Sequence, residues 1–261
     1  MGGFRTYGGG GARLHLGGYL TPGIKAIMIV CAAVFVAHTV AGLYSEQAYK
    51  LIILWFGLRP LGVVPGLMLW QPFTYLFLHG GIFHLLFNML VLWMFGTDIE
   101  RAWGQRRFFF YYFLTGAGAG VINVATKWIF YQVNDPEMQI ATIGASGAIY
   151  GVLVAAALVF PDRQIWLIPF PLTLPIRVYV AILAAIAFYF SIQGSGDNVS
   201  HISHLSGMLI GYLYLRRGSY FYRVRNSYSD WQRRRLQRRF EVYKRRHEKD
   251  TPPSRPDDWV N

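Results

Sequence analysis

Six apolar stretches separated by short polar connections dominate this chain of 261 residues. A helix needs roughly 20 apolar residues to cross the hydrocarbon layer of a membrane. The stretches that reach this length with few charges cover residues 24–44, 77–96, 107–131, 141–160, 175–192 and 199–216. The pattern therefore predicts an all-α membrane protein, built as a bundle of six transmembrane helices.

The connection between the first two stretches is also apolar, but Arg59, Pro60 and Pro65 interrupt it. Proline breaks the interior of a helix because it lacks an N–H donor and its ring collides with the preceding turn. We therefore expect residues 51–70 to form a loop in the membrane interface rather than a seventh span.

The chain changes character at both ends of the apolar region, which predicts three parts. Residues 1–23 are rich in glycine and predict a flexible cytoplasmic arm. Residues 24–216 form the predicted six-helix core. Residues 217–261 form a basic cytoplasmic tail, in which aromatic side chains recur at near-helical spacing among arginines. A basic amphipathic helix of this kind would bind anionic lipid, and a solvated run of charge is the alternative.

Composition agrees with a membrane protein, since 54% of the residues are hydrophobic and only 15% are charged. The net charge of +12 could indicate nucleic-acid binding. However, more than half of the 25 lysines and arginines lie between Arg216 and the end of the chain. Because the excess charge forms a terminal tail and not a groove, we expect no nucleic-acid partner.

The basic residues also predict the orientation, because cytoplasmic loops of membrane proteins carry an excess of lysine and arginine. Six spans place both termini on one side. The loops on that side hold Arg101, Arg106, Arg107, Arg163 and Arg177. We therefore expect both termini in the cytoplasm, with the chain in the inner membrane of a bacterium.

Polar side chains are costly to keep in lipid, so those inside the apolar stretches are functional candidates. Ser146 lies little more than one turn into the fourth stretch, and His204 little more than one turn into the sixth. Both stretches enter from the outer side, so a rise of ~1.5 Å per residue places both side chains roughly 8 Å below that boundary. His84 and Asn88 share one face of the second stretch and reach the same layer.

These residue types suit acyl transfer. A serine hydroxyl becomes nucleophilic when a neutral imidazole takes its proton, so His204 would activate Ser146. His84, Asn88 and the backbone N–H of Ser146 are candidates to stabilise the oxyanion. The apolar stretches contain no Asp or Glu, which predicts a Ser-His dyad without a third member. No His-Glu-x-x-His sequence occurs, and we expect neither a metal nor a cofactor.

Glycines accompany both candidates, with Gly147 beside Ser146 and Gly207 three residues after His204. Helices associate in membranes where small residues allow their backbones to approach. The glycines therefore predict close packing of the fourth and sixth helices. Ordinary helix packing explains the glycines by itself, but it does not explain the serine and the histidine.

Three motifs occur in order along the chain. They are His79, His84 and Asn88, then Gly144, Ser146 and Gly147 as Gly-x-Ser-Gly, and last His204, Gly207 and Gly211. Each motif alone is weak, because serines and glycines are common in membrane helices. Together they are specific, and across residues 24–216 the chain resembles the rhomboid family of intramembrane serine proteases.

The resemblance implies that Ser146 and His204 form the catalytic dyad and that His84 and Asn88 line the oxyanion site. It implies that Tyr150 stacks on the catalytic histidine. It further implies that single-pass transmembrane proteins are cleaved near the outer membrane face. Movement of the fifth helix with the following loop would admit them laterally from the lipid.

Other positions carry weaker expectations. Gln71 stands where the family often has arginine, so we expect the anchoring of its loop to differ. His79 would order the loop around it, His38 would be a packing residue, and His201 would face solvent. Residues 193–200 are polar and rich in glycine, as a mobile cap over the site would be.

Two other functional classes compete with a protease. A catalytically silent relative that binds transmembrane clients would be expected to lack Ser146 or His204, and both are present. A transporter or channel would need charged residues along a route through both leaflets. The polar residues here are confined to the outer half of the predicted bundle.

Overall fold

The computed structural model describes residues 19–166, 173–193 and 201–217. The chain divides into two compact units, Met1–Leu213 and Tyr214–Asn261, and the site lies in the first. Most of the predicted arm, the basic tail from 218 onward and the predicted cap over 194–200 lie outside the described residues. The predictions made for these parts stay predictions.

Ten α-helices are present among the described residues. They are α1 (Pro22–Tyr44), α2 (Glu46–Phe56), α3 (Pro60–Val63), α4 (Gln71–Thr74), α5 (Ile82–Val91), α6 (Thr97–Trp103), α7 (Gln105–Phe130), α8 (Ser146–Val159), α9 (Ile176–Gln193) and α10 (201–217). A π-helical turn at Leu92–Gly96 joins α5 to α6, and 3₁₀ turns lie at Tyr75–Phe77 and Pro136–Met138.

A small antiparallel hairpin between α8 and α9 is the departure from the all-α prediction. Its strands are β1 (Gln164–Trp166) and β2 (Thr173–Pro175), with Gln164 opposite Pro175. The rest of the described chain is helix or connecting loop, as the hydrophobic pattern predicted.

Three described helices are long and apolar enough to cross a membrane. They are Pro22–Tyr44, the continuous helix Ile82–Trp103, and Gln105–Phe130. The apolar helices α8 and α9 are shorter. The chain is thus a helical membrane protein, and the count of six spans and the side on which the termini lie remain predictions.

Two of the predicted helices begin later than the hydrophobicity indicated. The second span was expected from residue 77 but starts at Ile82, and the fourth was expected from 141 but starts at Ser146. The segment before α8 is extended, because Thr142 pairs with Leu58 in an antiparallel bridge and Gly144 has a φ of 123°. Ser146 is therefore the first residue of its helix, not a residue one turn inside it.

Helix α8 is buried from Gly147 to Ala156 apart from Tyr150, whereas Leu158 near its end is half exposed. Glycines allow its neighbours to approach. A Cβ added to Gly116 of α7 would lie 3.0 Å from Cβ of Ala148, and one on Gly207 of α10 would overlap the carbonyl oxygen of Gly147. The backbones of α8 and α10 are therefore in direct contact, as the glycine spacing predicted.

The loop between α1 and α5 is broken into short helices, in agreement with the expectation that residues 51–70 do not cross the membrane. Gln71 is fully buried beneath this loop. Its Oε1 accepts from the backbone N of Arg59 at 3.0 Å, and its Nε2 donates to the carbonyl oxygen of Leu54 at 3.0 Å. The amide of Gln71 thus anchors the loop through two backbone groups, and in this way glutamine replaces the arginine that the family often has at this position.

At the start of α1, the carboxylate of Glu100 from α6 satisfies the helix terminus. Its oxygens accept from the backbone N of Gly23 at 2.8 Å, from the backbone N of Ile24 at 2.9 Å and from the hydroxyl of Thr21. The first N–H groups of a helix have no partner within the helix, and a negative charge there is favourable. Glu100 therefore caps α1 from a different helix.

Candidate active site

Ser146 and His204 come together at the beginning of α8 and near the beginning of α10. Nε2 of His204 lies 2.7 Å from Oγ of Ser146, which is a short hydrogen bond. The approach depends on Gly207, because any side chain there would collide with the backbone at Gly147 and separate the two helices. The hydroxyl and imidazole that the sequence placed at one depth are within direct reach of each other.

The ring of Tyr150 fixes the plane of the imidazole. Tyr150 lies one turn after Ser146, and its ring stacks on His204 with a centroid distance of 4.2 Å and an interplanar angle of 4°. His204 is 8% exposed, and within the described residues its Nδ1 has no hydrogen-bond partner. A histidine held by stacking does not need a carboxylate to set its orientation.

His84 and Asn88 of α5 face the turn that precedes the serine. A Cβ added to Gly144 would lie 2.8 Å from Nε2 of His84 and 3.9 Å from Nδ2 of Asn88. Gly80 donates its backbone N–H to Nδ1 of His84 at 3.4 Å, which leaves Nε2 as the protonated nitrogen of a neutral ring. Both side chains therefore offer N–H donors beside Gly144, one residue from the turn into α8.

Gly144 cannot be replaced by another residue without strain. Its φ of 123° is disfavoured for residues that carry a Cβ, and His84 occupies the space that the Cβ would need. The backbone N–H of Gly144 donates to the carbonyl oxygen of Tyr75 at 2.9 Å. The turn before Ser146 is thus fixed on both sides.

Sequence reasoning missed Tyr75, which supports this turn. Its carbonyl oxygen binds Gly144, and its buried hydroxyl donates to the carbonyl oxygen of Gly116 at 2.7 Å. The side chain therefore ties the turn before Ser146 to α7. A single tyrosine in an aromatic-rich segment gives no signal of such a role, because the contact joins residues far apart in sequence.

A cavity of about 1020 Å³ opens over these residues. Its polar lining includes His84, Asn88, Ser146 and His204. The remaining wall is mainly apolar and comes from α5, α8, α9 and the extended segment 140–144. A cavity of this size can hold several residues of an extended peptide, with its polar groups gathered at one point.

Three other described histidines, His38, His79 and His201, have contacts of their own. His79 is buried, and its Nδ1 bonds the carbonyl oxygen of Phe77 at 3.2 Å, while Nε2 of His38 donates to the carbonyl oxygen of His79 at 3.0 Å. Both agree with a structural role. His201 does not face solvent as expected, since it is half-buried and stacks on Phe190 of α9 at 5.2 Å.

Comparison with known proteins assigns this arrangement to a family. The family model described as the Rhomboid domain matches residues 66–220, more than half of the chain. The chain belongs to the rhomboid family. The matched region includes every residue of α5, α8 and α10 that lines the cavity.

Rhomboid relatives from different organisms align with this chain. Rhomboid protease GluP of Bacillus subtilis is 31% identical over 144 residues, covering 55% of this chain and 25% of that protein. Rhomboid protein 1, mitochondrial, of Saccharomyces cerevisiae is 34% identical over 142 residues, covering 53% of this chain and 38% of that protein. Rhomboid protease AarA of Providencia stuartii is 28% identical over 155 residues, covering 55% of this chain and 54% of that protein.

The alignments thus span a quarter to about half of these rhomboid relatives. GluP and AarA bear the name of a protease. The relatives as a group include bacterial and mitochondrial proteins. The family therefore assigns this chain to a membrane, without fixing which one, and to a group whose members include named proteases.

Proposed function

We propose that this rhomboid is an intramembrane serine endopeptidase that cleaves transmembrane proteins through an acyl-enzyme intermediate. The observation that carries the proposal is the 2.7 Å contact between Nε2 of His204 and Oγ of Ser146. A serine paired with a histidine inside an apolar bundle is costly unless it serves a function. Family membership supports the same activity.

In the first step, Oγ of Ser146 attacks the carbonyl carbon of the scissile peptide bond while Nε2 of His204 takes the hydroxyl proton. The histidine then gives this proton to the leaving amine, and the C–N bond breaks. The stacked ring of Tyr150 holds the imidazole in the plane that both transfers need. The acyl-enzyme remains on Ser146.

In the second step, a water molecule attacks the acyl carbon after losing a proton to His204, and the ester bond to Ser146 breaks. The same histidine returns the proton to the serine oxygen. The cavity beside the dyad supports this step, because hydrolysis needs room for water next to the ester. The polar residues that line the cavity give water a favourable place there.

The negative oxygen of each tetrahedral intermediate needs donors fixed in a medium of low polarity. The side chains of His84 and Asn88 supply N–H groups beside Gly144. The backbone N–H of Ser146 belongs to the first turn of α8, where such groups have no partner within the helix and the helix dipole favours negative charge. We assign the oxyanion site to these three donors.

The apolar wall of the cavity suits substrates that arrive from the lipid, and we assign single-pass transmembrane proteins as the substrates. The proposal includes a six-span core over 24–216 in the inner membrane of a bacterium, with both termini on the cytoplasmic side. It also includes binding of the basic tail over 217–261 to anionic lipid. Fusing a reporter enzyme to each terminus in bacterial cells tests the orientation directly.

Reconstituted protein tests the activity. Wild type should cleave a single-pass substrate in lipid vesicles, whereas Ser146→Ala and His204→Ala should show no cleavage above background. Loss of either member should cost nearly as much as loss of both, because the two groups act as a unit. Full activity in either variant would exclude the dyad. Client binding without cleavage by wild type would favour the silent relative instead.

A further inference from the structure

Lys127 near the end of α7 is a charged residue whose side chain is only 9% exposed. Its Nζ lies 3.0 Å from Oε2 of Glu137 and also donates to the backbone carbonyl oxygen of Glu137 at 3.0 Å. Lysine is seldom buried unless its charge is paired. Because it binds both the side chain and the main chain of one residue, Lys127 fixes the position of the backbone at Glu137.

The chain on either side of Glu137 is a tight turn. Asp135 accepts from the backbone N of Glu137 at 2.8 Å through Oδ1, and Pro136 accepts from the backbone N of Gln139 at 2.9 Å and of Ile140 at 3.2 Å. Met138 within the turn is fully buried. A turn with these bonds transmits the position of Glu137 to Ile140.

The residues that follow form one wall of the cavity. Residues 140–144 all line it, and this wall runs directly into Ser146. Two further contacts hold the far part of the wall, the bridge between Thr142 and Leu58 and the bond from Gly144 to Tyr75. Lys127 ties the near end, where the chain leaves the turn, to α7.

We infer that Lys127 is a positioning residue, which sets the place of cavity wall 140–144 for the substrate segment that lies against it. The inference rests on the proposed function. Lys127 touches neither Ser146 nor His204. The dyad is held by other contacts, Gly207 against Gly147 and Tyr150 against His204. Loss of Lys127 should therefore weaken substrate use while leaving the reactivity of the serine in place.

The variant Lys127→Met tests this inference in the full-length protein. Methionine keeps the length and apolar body of the side chain, and the freed carboxylate of Glu137 is 40% exposed and can be hydrated. The conservative variant Lys127→Arg keeps the charge. Lys50→Met is the matched control, because Lys50 also pairs with a glutamate, Glu46, but both side chains are exposed at 66% and 80%.

The KM and kcat for a single-pass transmembrane substrate should be measured beside the rate at which a small fluorophosphonate labels Ser146. Lys127→Met should raise KM about fivefold or more and change the labelling rate by less than about twofold, the pattern of lost substrate binding. Lys127→Arg should recover most of the loss, and Lys50→Met should match wild type. An unchanged KM in Lys127→Met would overturn the inference.

The inference would also be overturned if Lys127→Met lost cleavage and labelling to the same extent and unfolded at a lower temperature, since this would show a merely structural role. Hydrogen exchange at the backbone amides of 140–144 provides a readout that does not depend on activity. Exchange there should be faster in Lys127→Met than in wild type or Lys50→Met. If wild type neither cleaves the substrate nor reacts with the fluorophosphonate, the proposed function fails. If wild type is active but exchange at 140–144 is the same in Lys127→Met as in wild type, only the role of Lys127 is refuted.

Discussion

The two ends of the helix Ile82–Trp103 carry buried polar groups in opposite states. Near its end, Glu100 is 3% exposed, and its carboxylate accepts three hydrogen bonds at the start of α1. Near its beginning, Nδ2 of Asn88 is buried with no hydrogen-bond partner among the described residues, and so is Nδ1 of the facing His204. The Glu100 carboxylate is fully satisfied and the two nitrogens at the cavity are not, although the hydroxyl of Thr97 near Glu100 also lacks a partner among the described residues.

Asn88 and His204 differ from Glu100 because their unsatisfied nitrogens belong to residues that line the cavity. Buried polar groups in folded proteins are nearly always hydrogen-bonded, so an unsatisfied one needs an explanation. Under the proposed function, a substrate or a transition state would supply the missing partner at the cavity. The Glu100 carboxylate already has its partners, and its three bonds stabilise the start of α1. Each end therefore predicts a distinct response to substitution.

Among substitutions that keep both Ser146 and His204, Gly144→Ala beside the cavity should have the largest effect. The residue would be strained at a φ of 123°, by about 1–3 kcal/mol, and its Cβ would displace His84. Cleavage should fall at least 100-fold, the order of loss expected for a removed oxyanion donor. Gly42→Ala is the control, because a Cβ there would lie 3.4 Å or more from Tyr49. Near-normal cleavage by Gly144→Ala would remove His84 from the oxyanion site.

Glu100→Gln tests the satisfied end. The amide would set an N–H donor against the N–H donors of α1, and charge-assisted hydrogen bonds of about 1.5–3 kcal/mol each would be lost. Thermal unfolding in detergent should therefore occur at a clearly lower temperature, while the folded fraction should label at Ser146 at the wild-type rate. The control is Asp162→Asn, whose partner Arg177 lies 3.5 Å away in an exposed pair. A slower labelling rate at unchanged stability would contradict the division between the two ends.

The smallest effect should come from Tyr150→Leu. The substitution keeps an apolar side chain but removes the stacked ring, and aromatic stacking contributes about 0.5–1.5 kcal/mol. The rate of cleavage should drop by a few-fold to about tenfold, since 1.36 kcal/mol corresponds to a factor of ten. Tyr150→Phe keeps the ring and should cleave like wild type. A large loss in Tyr150→Phe would show that the hydroxyl matters more than the stack.

The sequence predicted those parts of the site that depend on helical periodicity and on depth in the membrane. Ser146, His204 and the glycines at the crossing of α8 and α10 could be placed from their depth and helical spacing. The stacking of Tyr150 on His204 was implied by the family resemblance. The structure brings them together accordingly. Apolar periodicity likewise indicated helices and a broken loop between the first two spans.

The sequence could not predict contacts between segments that are distant along the chain. The bridge of Leu58 to Thr142, the bond of Gly144 to Tyr75 and the pair of Lys127 with Glu137 leave no local pattern. The prediction from hydrophobicity also placed the start of α8 too early, at residue 141 instead of Ser146. The extended segment before Ser146 is as apolar as the helix after it, and only the backbone pairing distinguishes them.

The most direct test of the central claim is to identify the residue that reacts with a fluorophosphonate. The probe should be applied to the purified wild type, Ser146→Ala and His204→Ala, and the modified peptide should be located by mass spectrometry. A Ser-His pair predicts one adduct, on Ser146 in wild type, absent from Ser146→Ala and strongly reduced in His204→Ala. Undiminished labelling of Ser146 without His204, or an adduct on another residue, would contradict the account.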